Sequence, residues 1–187
     1  EVIQIGITMS RYGEDECYLK HIITLKSCDS LEGIIVESYN TEKEVLLAFS
    51  KLVRTIDPDI ITGYNINGFD FNYLNERAKL LGISPQFSRM SRIKNEISEF
   101  VIKDLSSSAL GENKLKFFDM KGRVILDLMK VIQRDHKLPS YKLDEVTSNF
   151  IREGIINITI DTKLKRSTID TKNTNGIYKD QYIKICY

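Results

Sequence analysis

Apolar and polar positions near the start of the chain form a pattern that predicts strands and one helix. Residues 2–9 and 18–26 alternate around a polar turn, which is typical of a β-hairpin. A third short strand is predicted at 34–36. Thr41 and Glu44 have the spacing of a capping box, and the helix that they begin has an apolar face formed by Val45, Leu46, Phe49, Leu52 and Val53. The pattern thus indicates a hairpin, a third strand and an amphipathic helix.

The segment 57–83 combines a turn, a strand, a polar loop and a helix. Its β-branched run at 60–62 suits a buried strand. The loop 63–68 contains two glycines and two asparagines, which tolerate unusual backbone angles. Asp70 stands at the entrance of a helix that Gly82 is placed to terminate, with apolar residues at helical spacing: Phe71, Leu74, Ala78 and Leu81.

Farther along, the apolar runs are shorter and predict mainly strands. A polar stretch at 84–99 comes first. Two strands at 100–102 and 115–118 would then flank a turn at 111–113, which predicts a second hairpin. The run at 124–126 predicts another strand of the buried type.

The last part of the chain predicts two helices and then less regular structure. Asp127 can cap a helix carrying Leu128, Val131 and Ile132. A further helix is predicted to begin at Ser140, with three residues turned inward: Leu143, Val146 and Phe150. Residues 155–160 indicate a strand, and 163–175 a polar surface excursion. The order of elements predicts an α/β fold with a mixed sheet begun by antiparallel hairpins.

Composition and charge narrow the classes of function. The 187 residues suffice for one domain with a substantial core. A net charge of +1 gives no global basic field, so any contact with nucleic acid must be local or shared with a longer chain. Three separated cysteines (Cys17, Cys28 and Cys186) and two histidines favour reduced intracellular thiols over a zinc site. No apolar run reaches the length of a membrane span, and we expect no membrane partner.

The segment 57–83 also carries the candidate chemistry. A strand that hands over to a helix places its last residues at the rim of an α/β sheet, where ligands usually bind. Asp70 and Asn65 are delivered to that rim. A magnesium site needs several converging acids, and Asp70 is placed to be one of them, but from position alone a helix N-cap is the preferred interpretation. Position likewise favours a turn-stabilising side chain at Asn65 over a ligand contact, and a core position for Phe69 over a stacking platform for a base.

Four runs of residues resemble a known family when they are taken together. Residues 1–6 read EVIQIG, 63–78 read GYNINGFDFNYLNERA, 121–128 read KGRVILDL and 137–143 read KLPSYKL. In this order they resemble the exonuclease domain of family B DNA polymerases, with the delta-type enzymes of eukaryotes and large DNA viruses most similar. The resemblance covers residues 1 to about 150.

The resemblance implies a fold, an activity and a set of site residues. The fold is a ribonuclease-H-like mixed β-sheet flanked by helices, with an inserted β-hairpin at about 100–120 that helps to separate the primer end from the template. Asp70 would be a catalytic metal ligand of a 3′→5′ proofreading exonuclease. Asn65, Phe69 and Tyr64 would contact the single-stranded 3′ end of the DNA primer. Two Mg²⁺ (or Mn²⁺) ions in the full-length parent would activate a water and stabilise the leaving 3′-oxygen. Asp127 is interpreted mainly as a cap.

Parts of the family pattern are not matched. The first motif, D-x-E, lies upstream of Val2 in the family, and the third, Y-x-x-x-D, is not formed by Tyr178 and Asp180, whose spacing is wrong. We therefore expect residues 1–187 to be a single truncated exonuclease domain. By resemblance, 151–187 is interpreted as an inserted segment, with an inserted strand at 176–187. The fragment would be inactive alone, would act beside the polymerase domain of its parent, and would be found inside the cell, in the nucleus or at a site of viral replication.

Two other interpretations stay open. The chain could be a ribonuclease-H-like module that binds single-stranded DNA after losing its acids. It could also be an unrelated α/β ligand-binding domain in which Asp70 is a plain helix cap, although that interpretation leaves the ordered matches unexplained.

Overall fold

The computed structural model describes residues 1–107, 111–174, 177, 179–183 and 185. The chain divides into two compact units, Glu1–Lys137 and Leu138–Tyr187. The first unit contains, in chain order, β1 (Gln4–Met9), β2 (Leu19–Leu25), β3 (Ile35–Tyr39), α1 (Glu42–Ile56), β4 (Ile60–Gly63), α2 (Asp70–Leu80), α3 (Ser84–Phe87), β5 (Glu99–Ser107), β6 (Gly111–Asp119), β7 (Val124–Asp127) and α4 (Leu128–Asp135). The second contains α5 (Leu143–Phe150), β8 (Ile155–Asp161) and β9 (Arg166–Thr171).

The first three strands form one small mixed sheet. β1 and β2 pair antiparallel, which confirms the predicted hairpin, and β3 pairs parallel to β2. The predicted capping box of α1 is also confirmed, because the Glu44 N–H donates to Thr41 Oγ1 and the Thr41 N–H donates to Glu44 Oε2. The apolar face of α1 packs into the core through Val45, Leu46, Phe49 and Val53, all of which are buried. The local signals of this region therefore agree with its tertiary structure.

β4 and β7 form a separate parallel pair, in register from Ile60 opposite Val124 to Gly63 opposite Asp127. The prediction that both strands are buried is wrong, because Ile60 is 52% exposed and Val124 is 58% exposed. In the described part of the chain β4 has no partner on its other edge, and neither does β1. The predicted mixed sheet therefore consists of separate small sheets here.

Helix α2 is held at its end and along its length. Gly82 adopts a φ of 65° and its N–H donates to the Lys79 carbonyl, while the Ile83 N–H donates to the Ala78 carbonyl, so the predicted glycine terminator is confirmed. Arg77 Nε donates to Glu42 Oε1 at 2.7 Å, and this bond holds the pKa of the Glu42 carboxyl below its ordinary value. The ion pair ties α2 to α1 and fixes the helix that begins with Asp70.

The core of the first unit contains an aromatic cluster around Phe118. The Phe118 ring centroid lies 5.8 Å from that of Phe71, 5.6 Å from Phe87 and 5.1 Å from Phe100. The polar stretch 84–99 thus contributes to the core, since Phe87 and also Met90 are fully buried. The sequence pattern missed this because isolated apolar residues in a polar segment carry no periodicity.

The second hairpin, β5–β6, is confirmed and is longer than predicted. The turn predicted at 111–113 is wrong, because these residues pair with Leu105 to Ser107 in the antiparallel ladder. Gly111 and Asn113 carry turn propensity, but the ladder continues through them, and tertiary pairing decides the local conformation. The intervening residues 108–110 lie outside the described part.

The second unit departs further from the sequence pattern. α5 begins at Leu143 rather than Ser140, whose hydroxyl instead accepts from the Lys142 N–H at 3.3 Å in the preceding turn. Of the three residues predicted to face inward, Val146 is buried, whereas Leu143 and Phe150 are half-exposed.

The predicted strand at 155–160 is confirmed as β8. The described residues of 163–175 are largely exposed, as a surface segment should be, but Arg166–Thr171 form a strand, β9, that pairs antiparallel with β8. From 176 onward the structure describes 177, 179–183 and 185, and none of these is in a strand. The inserted strand predicted there is absent from those residues, and Tyr178, Cys186 and Tyr187 lie outside the described part. None of the helices in the described ranges is long and apolar enough to span a membrane.

Candidate functional site

The carboxyl ends of β4 and β7 bring two distant parts of the chain to one edge. Gly63 ends β4 and is paired with Asp127, which ends β7. The loop that follows β4 and the helix that follows β7 therefore start side by side. Because parallel strands end at the same edge, the predicted rim exists and carries Asn65 and Asp70.

Asp127 is the residue that joins the loop to the neighbouring strand. Its side chain is 4% exposed. Oδ1 accepts from the Asn65 N–H at 2.9 Å and from the Met129 N–H at 3.1 Å, and Oδ2 accepts from the Asn67 N–H at 3.0 Å. The prediction that Asp127 caps α4 is confirmed. Its bonds to the loop were not predicted, because they depend on the register between strands sixty residues apart.

Backbone groups, and not the side chain of Asn65, hold the loop turn. Asn65 has a φ of 60°, and its carbonyl accepts from the Gly68 and Phe69 N–H groups, each at 3.0 Å. Its side chain lies against Gly68, where a Cβ would approach Asn65 Oδ1 to 2.2 Å, so any larger residue at position 68 would displace the Asn65 amide. In the described part of the chain the Asn65 amide makes no hydrogen bond, which leaves it available to a ligand.

Asp70 is the first residue of α2 and does not cap it. The N-cap position is occupied by Phe69, with no side-chain hydrogen bond, so the helix-cap interpretation of Asp70 is wrong. The Asp70 carboxylate is partly exposed and forms no ion pair with any cation that the structure describes. Burial of one side raises its pKa, and the negative charge of Asp127 raises it further. A cation placed beside Asp70 would reverse that shift.

Two aromatic side chains flank Asp70 on the surface. Phe69 is 62% exposed, so its assignment to the core is wrong. Its ring stacks on Tyr73, with the centroids 5.9 Å apart and the planes 4° from parallel. Tyr64 is half-buried, and burial together with the charge of Asp127 raises the pKa of its hydroxyl. The site thus presents a stacked aromatic pair that a nucleobase could contact.

A groove of about 590 Å³ runs beside these residues. One wall is β1 and another is β4, and Phe69, Asp70 and Tyr73 also line it. The facing edges of β1 and β4 have no strand partner in the described ranges. Unpaired backbone N–H and C=O groups on both sides make the groove suited to an extended segment of chain.

The described residues do not form a magnesium site by themselves. They contain no group of three or more His, Cys, Asp or Glu side chains placed to hold a metal ion. Asp70 offers its oxygens, whereas those of Asp127 already accept three N–H bonds. Since Mg²⁺ is bound by several oxygen ligands, further acids would have to come from elsewhere. Cys17 and Cys28 are both free thiols.

Comparison with known sequences identifies the class of protein. Residues 1–146 match the DNA polymerase family B exonuclease domain, and the chain belongs to this family. This confirms the family and the ribonuclease-H-like α/β fold class with its inserted hairpin.

The chain is also similar to individual polymerases. It is 43% identical over 184 residues to a DNA polymerase of Pyramimonas orientalis virus, which covers 98% of this chain and 15% of that protein. It is 40% identical over 186 residues to the DNA polymerase delta catalytic subunit of Arabidopsis thaliana, with 97% and 17% covered. A DNA polymerase of Acanthamoeba polyphaga mimivirus is 34% identical, with 99% and 16% covered. The chain spans about one sixth of the length of these relatives.

Proposed function

We propose that the chain is part of the 3′→5′ proofreading exonuclease of a delta-type replicative DNA polymerase. The observation that carries this proposal is Asp70, a carboxylate at the carboxyl edge of β4–β7 that pairs with no described cation, beside a loop that Asp127 holds in place. The substrate is the single-stranded 3′ end of a DNA primer. The polymerase domain of the same parent chain is its partner, in the nucleus or at a site of viral replication.

The remaining metal ligands are proposed to come from a strand that occupies the groove. A strand between β1 and β4 would pair with both open edges and join the two sheets. It would end near Asp70 and could supply the two acids of the D-x-E motif. With Asp70 they would provide oxygen ligands for Mg²⁺ or Mn²⁺. The described residues alone, with only Asp70 offering carboxylate oxygens at this edge, would then be inactive.

Three groups beside Asp70 are proposed to bind the terminal nucleotides. The Asn65 amide can hydrogen-bond a base or sugar, the exposed face of Phe69 can stack on a base, and Tyr64 borders the same edge. The hairpin β5–β6 is connected to this site, because the Lys116 N–H of β6 donates to the Asn67 carbonyl at 3.1 Å. That bond supports a role for the hairpin in guiding the separated primer end.

Replacing Asp70 tests the proposal in the full-length protein. Asp70→Ala should lower Mg²⁺-dependent degradation of a mismatched primer by more than about 100-fold, since loss of a direct metal ligand exceeds the effect of an outer partner. Extension of a matched primer should be unchanged. Asp144→Ala is a matched control, because Asp144 is also an exposed aspartate in the first turn of a helix.

Both failures of this experiment are informative. Degradation that survives Asp70→Ala would exclude Asp70 as a metal ligand. If the unaltered full-length protein degrades no primer but binds single-stranded DNA, the inactive binding module would be the correct interpretation.

A further inference from the structure

A second cavity of about 590 Å³ lies at the amino ends of β4 and β7. Asp57, just before β4, and Arg123, just before β7, line it together with Arg54, Arg89 and residues 91–96. A four-residue strand is about 13 Å long, so the cavity and Asp70 lie at opposite ends of the same strand pair. The cavity is therefore separate from the candidate exonuclease site.

Two arginines of this cavity are fixed by the fold. The Arg123 side chain is 1% exposed and donates to Asp57 Oδ1 and the Pro58 carbonyl, each at 2.7 Å, and to the Met90 carbonyl at 2.9 Å. Arg92 donates to Asp57 Oδ1 at 2.9 Å and pairs with Asp59 at 2.7 Å. These guanidinium groups hold the segment 89–96 against the strand ends.

Three other cationic side chains of the same cavity have no partner in the described ranges. Arg54, Arg89 and Lys94 are exposed and make no ion pair or hydrogen bond within the described ranges. The cavity is lined by five cationic residues and two carboxylates, Asp57 and Glu96, and Glu96 is already paired with Lys121 at 2.7 Å. The lining thus carries a net charge of +3, whereas the whole chain carries +1. Positive charge is concentrated here, as a local contact with nucleic acid requires.

The chemistry of the lining favours a phosphate backbone over stacked bases. None of the described residues that line the cavity is aromatic, so these residues offer no stacking platform for the bases of a single strand. Guanidinium and ammonium groups bind phosphate oxygens without reading sequence. We propose that Arg54, Arg89 and Lys94 form a binding site for the phosphodiester backbone of duplex DNA, separate from the site that holds a frayed 3′ end.

The salt dependence of duplex binding tests this proposal in the full-length protein. A fluorescently labelled, blunt-ended DNA duplex is titrated in EDTA at several NaCl concentrations. Each phosphate contact contributes a slope of about −0.9 to the plot of log K against log salt concentration. The triple variant Arg54→Gln, Arg89→Gln, Lys94→Gln should therefore have a slope smaller in magnitude by about 2–3.

Matched controls separate this site from general charge and from the exonuclease. The variant Lys20→Gln, Lys43→Gln, Lys163→Gln removes three exposed lysines elsewhere and should keep the original slope. Asp70→Ala should also keep it, while the triple cavity variant should still degrade single-stranded DNA. Failure of the proposed exonuclease function would thus be seen in the primer-degradation assay, and not in the salt dependence of duplex binding.

An unchanged slope in the triple cavity variant would overturn the proposal, as would an equal change in the lysine control. If the cavity variant keeps its DNA slope but loses affinity for polyglutamate, the cavity binds an acidic protein surface instead and the proposal is wrong. If the triple variant does not fold, the single variant Lys94→Gln should still have a slope that is smaller in magnitude by about 0.9.

Discussion

The two ends of the β4–β7 pair carry charged side chains of opposite sign, carboxylates at one end and arginines at the other. At both ends some of these side chains are buried and others are exposed. At the carboxyl end, Asp127 is buried and accepts three N–H bonds, whereas Asp70 is partly exposed and has no cationic partner in the described part of the chain. At the amino end, Arg123 is buried among carbonyl and carboxylate oxygens, whereas Arg89 is exposed and unpaired there. Each end thus combines charged groups that the fold holds in place with charged groups that are left at the surface.

The comparison shows how burial separates structural charges from those available to a ligand. A buried charge loses its hydration, so it is tolerated only where hydrogen bonds replace the water. Asp127 and Arg123 meet that condition and fix the strand ends. Asp70 and Arg89 keep part of their hydration and can exchange it for a cation or an anion. The comparison therefore predicts that substitutions at the two kinds of residue have different effects on stability.

The largest difference is expected between Arg123 and Arg89. Arg123→Met should lower the free energy of unfolding by about 3 kcal/mol, because it leaves the Met90 and Pro58 carbonyls without their charged donor. Arg89→Met should change it by less than about 0.5 kcal/mol, as for other surface residues. Urea unfolding of the two variants measures both values. Equal losses would break the distinction between fixed and available cations.

A smaller, graded effect is expected at Asp127. Asp127→Ala removes three acceptor bonds and should cost about 2 kcal/mol, whereas Asp127→Asn keeps one acceptor oxygen and should cost about 1 kcal/mol. Hydrogen exchange of the Asn65 and Asn67 amides locates the effect. These amides should exchange faster in both variants, and unchanged protection would show that Asp127 does not hold the loop.

The smallest effect is expected at Asp70 and has the opposite sign. The pKa of this carboxyl is raised by folding, so the folded state is favoured below its ordinary value near 3.8 and loses that advantage as the pH rises through the folded pKa. Asp70→Asn should therefore stabilise the chain at pH 7 by about 0.5 kcal/mol, a small value because the group is partly exposed. At pH 3 the gain should vanish. Thermal unfolding at both pH values checks this, and a loss of stability at pH 7 would show that Asp70 has a structural role.

Much of the local structure was predictable from short-range signals. The capping box of Thr41 and Glu44, the terminator Gly82 and the first hairpin all depend on residues that are close in sequence. The same signals failed at residues 111–113, where turn-forming residues continue a strand because their partners in β5 are already aligned. Pairing of a whole ladder outweighs the preference of three residues.

The candidate site was predictable only in part. The motif around Asp70 identified the family and the loop, but position alone left Asp70 as a possible cap and Phe69 as a possible core residue. The N-cap at Phe69 and the exposure of its ring answered both questions. The bonds from Asp127 to the loop, and the cavity that gathers Arg54, Arg89 and Lys94, had no signal in the sequence.

The sequence by itself determined the family, most of the elements and several of their caps, because these depend on neighbouring residues and on a motif read in order. The tertiary structure decided which charges are buried and which remain at the surface. That division depends on the register between β4 and β7, which brings residues sixty positions apart into contact. No local pattern contains this information, since it arises only when distant strands pair and exclude water from the groups between them.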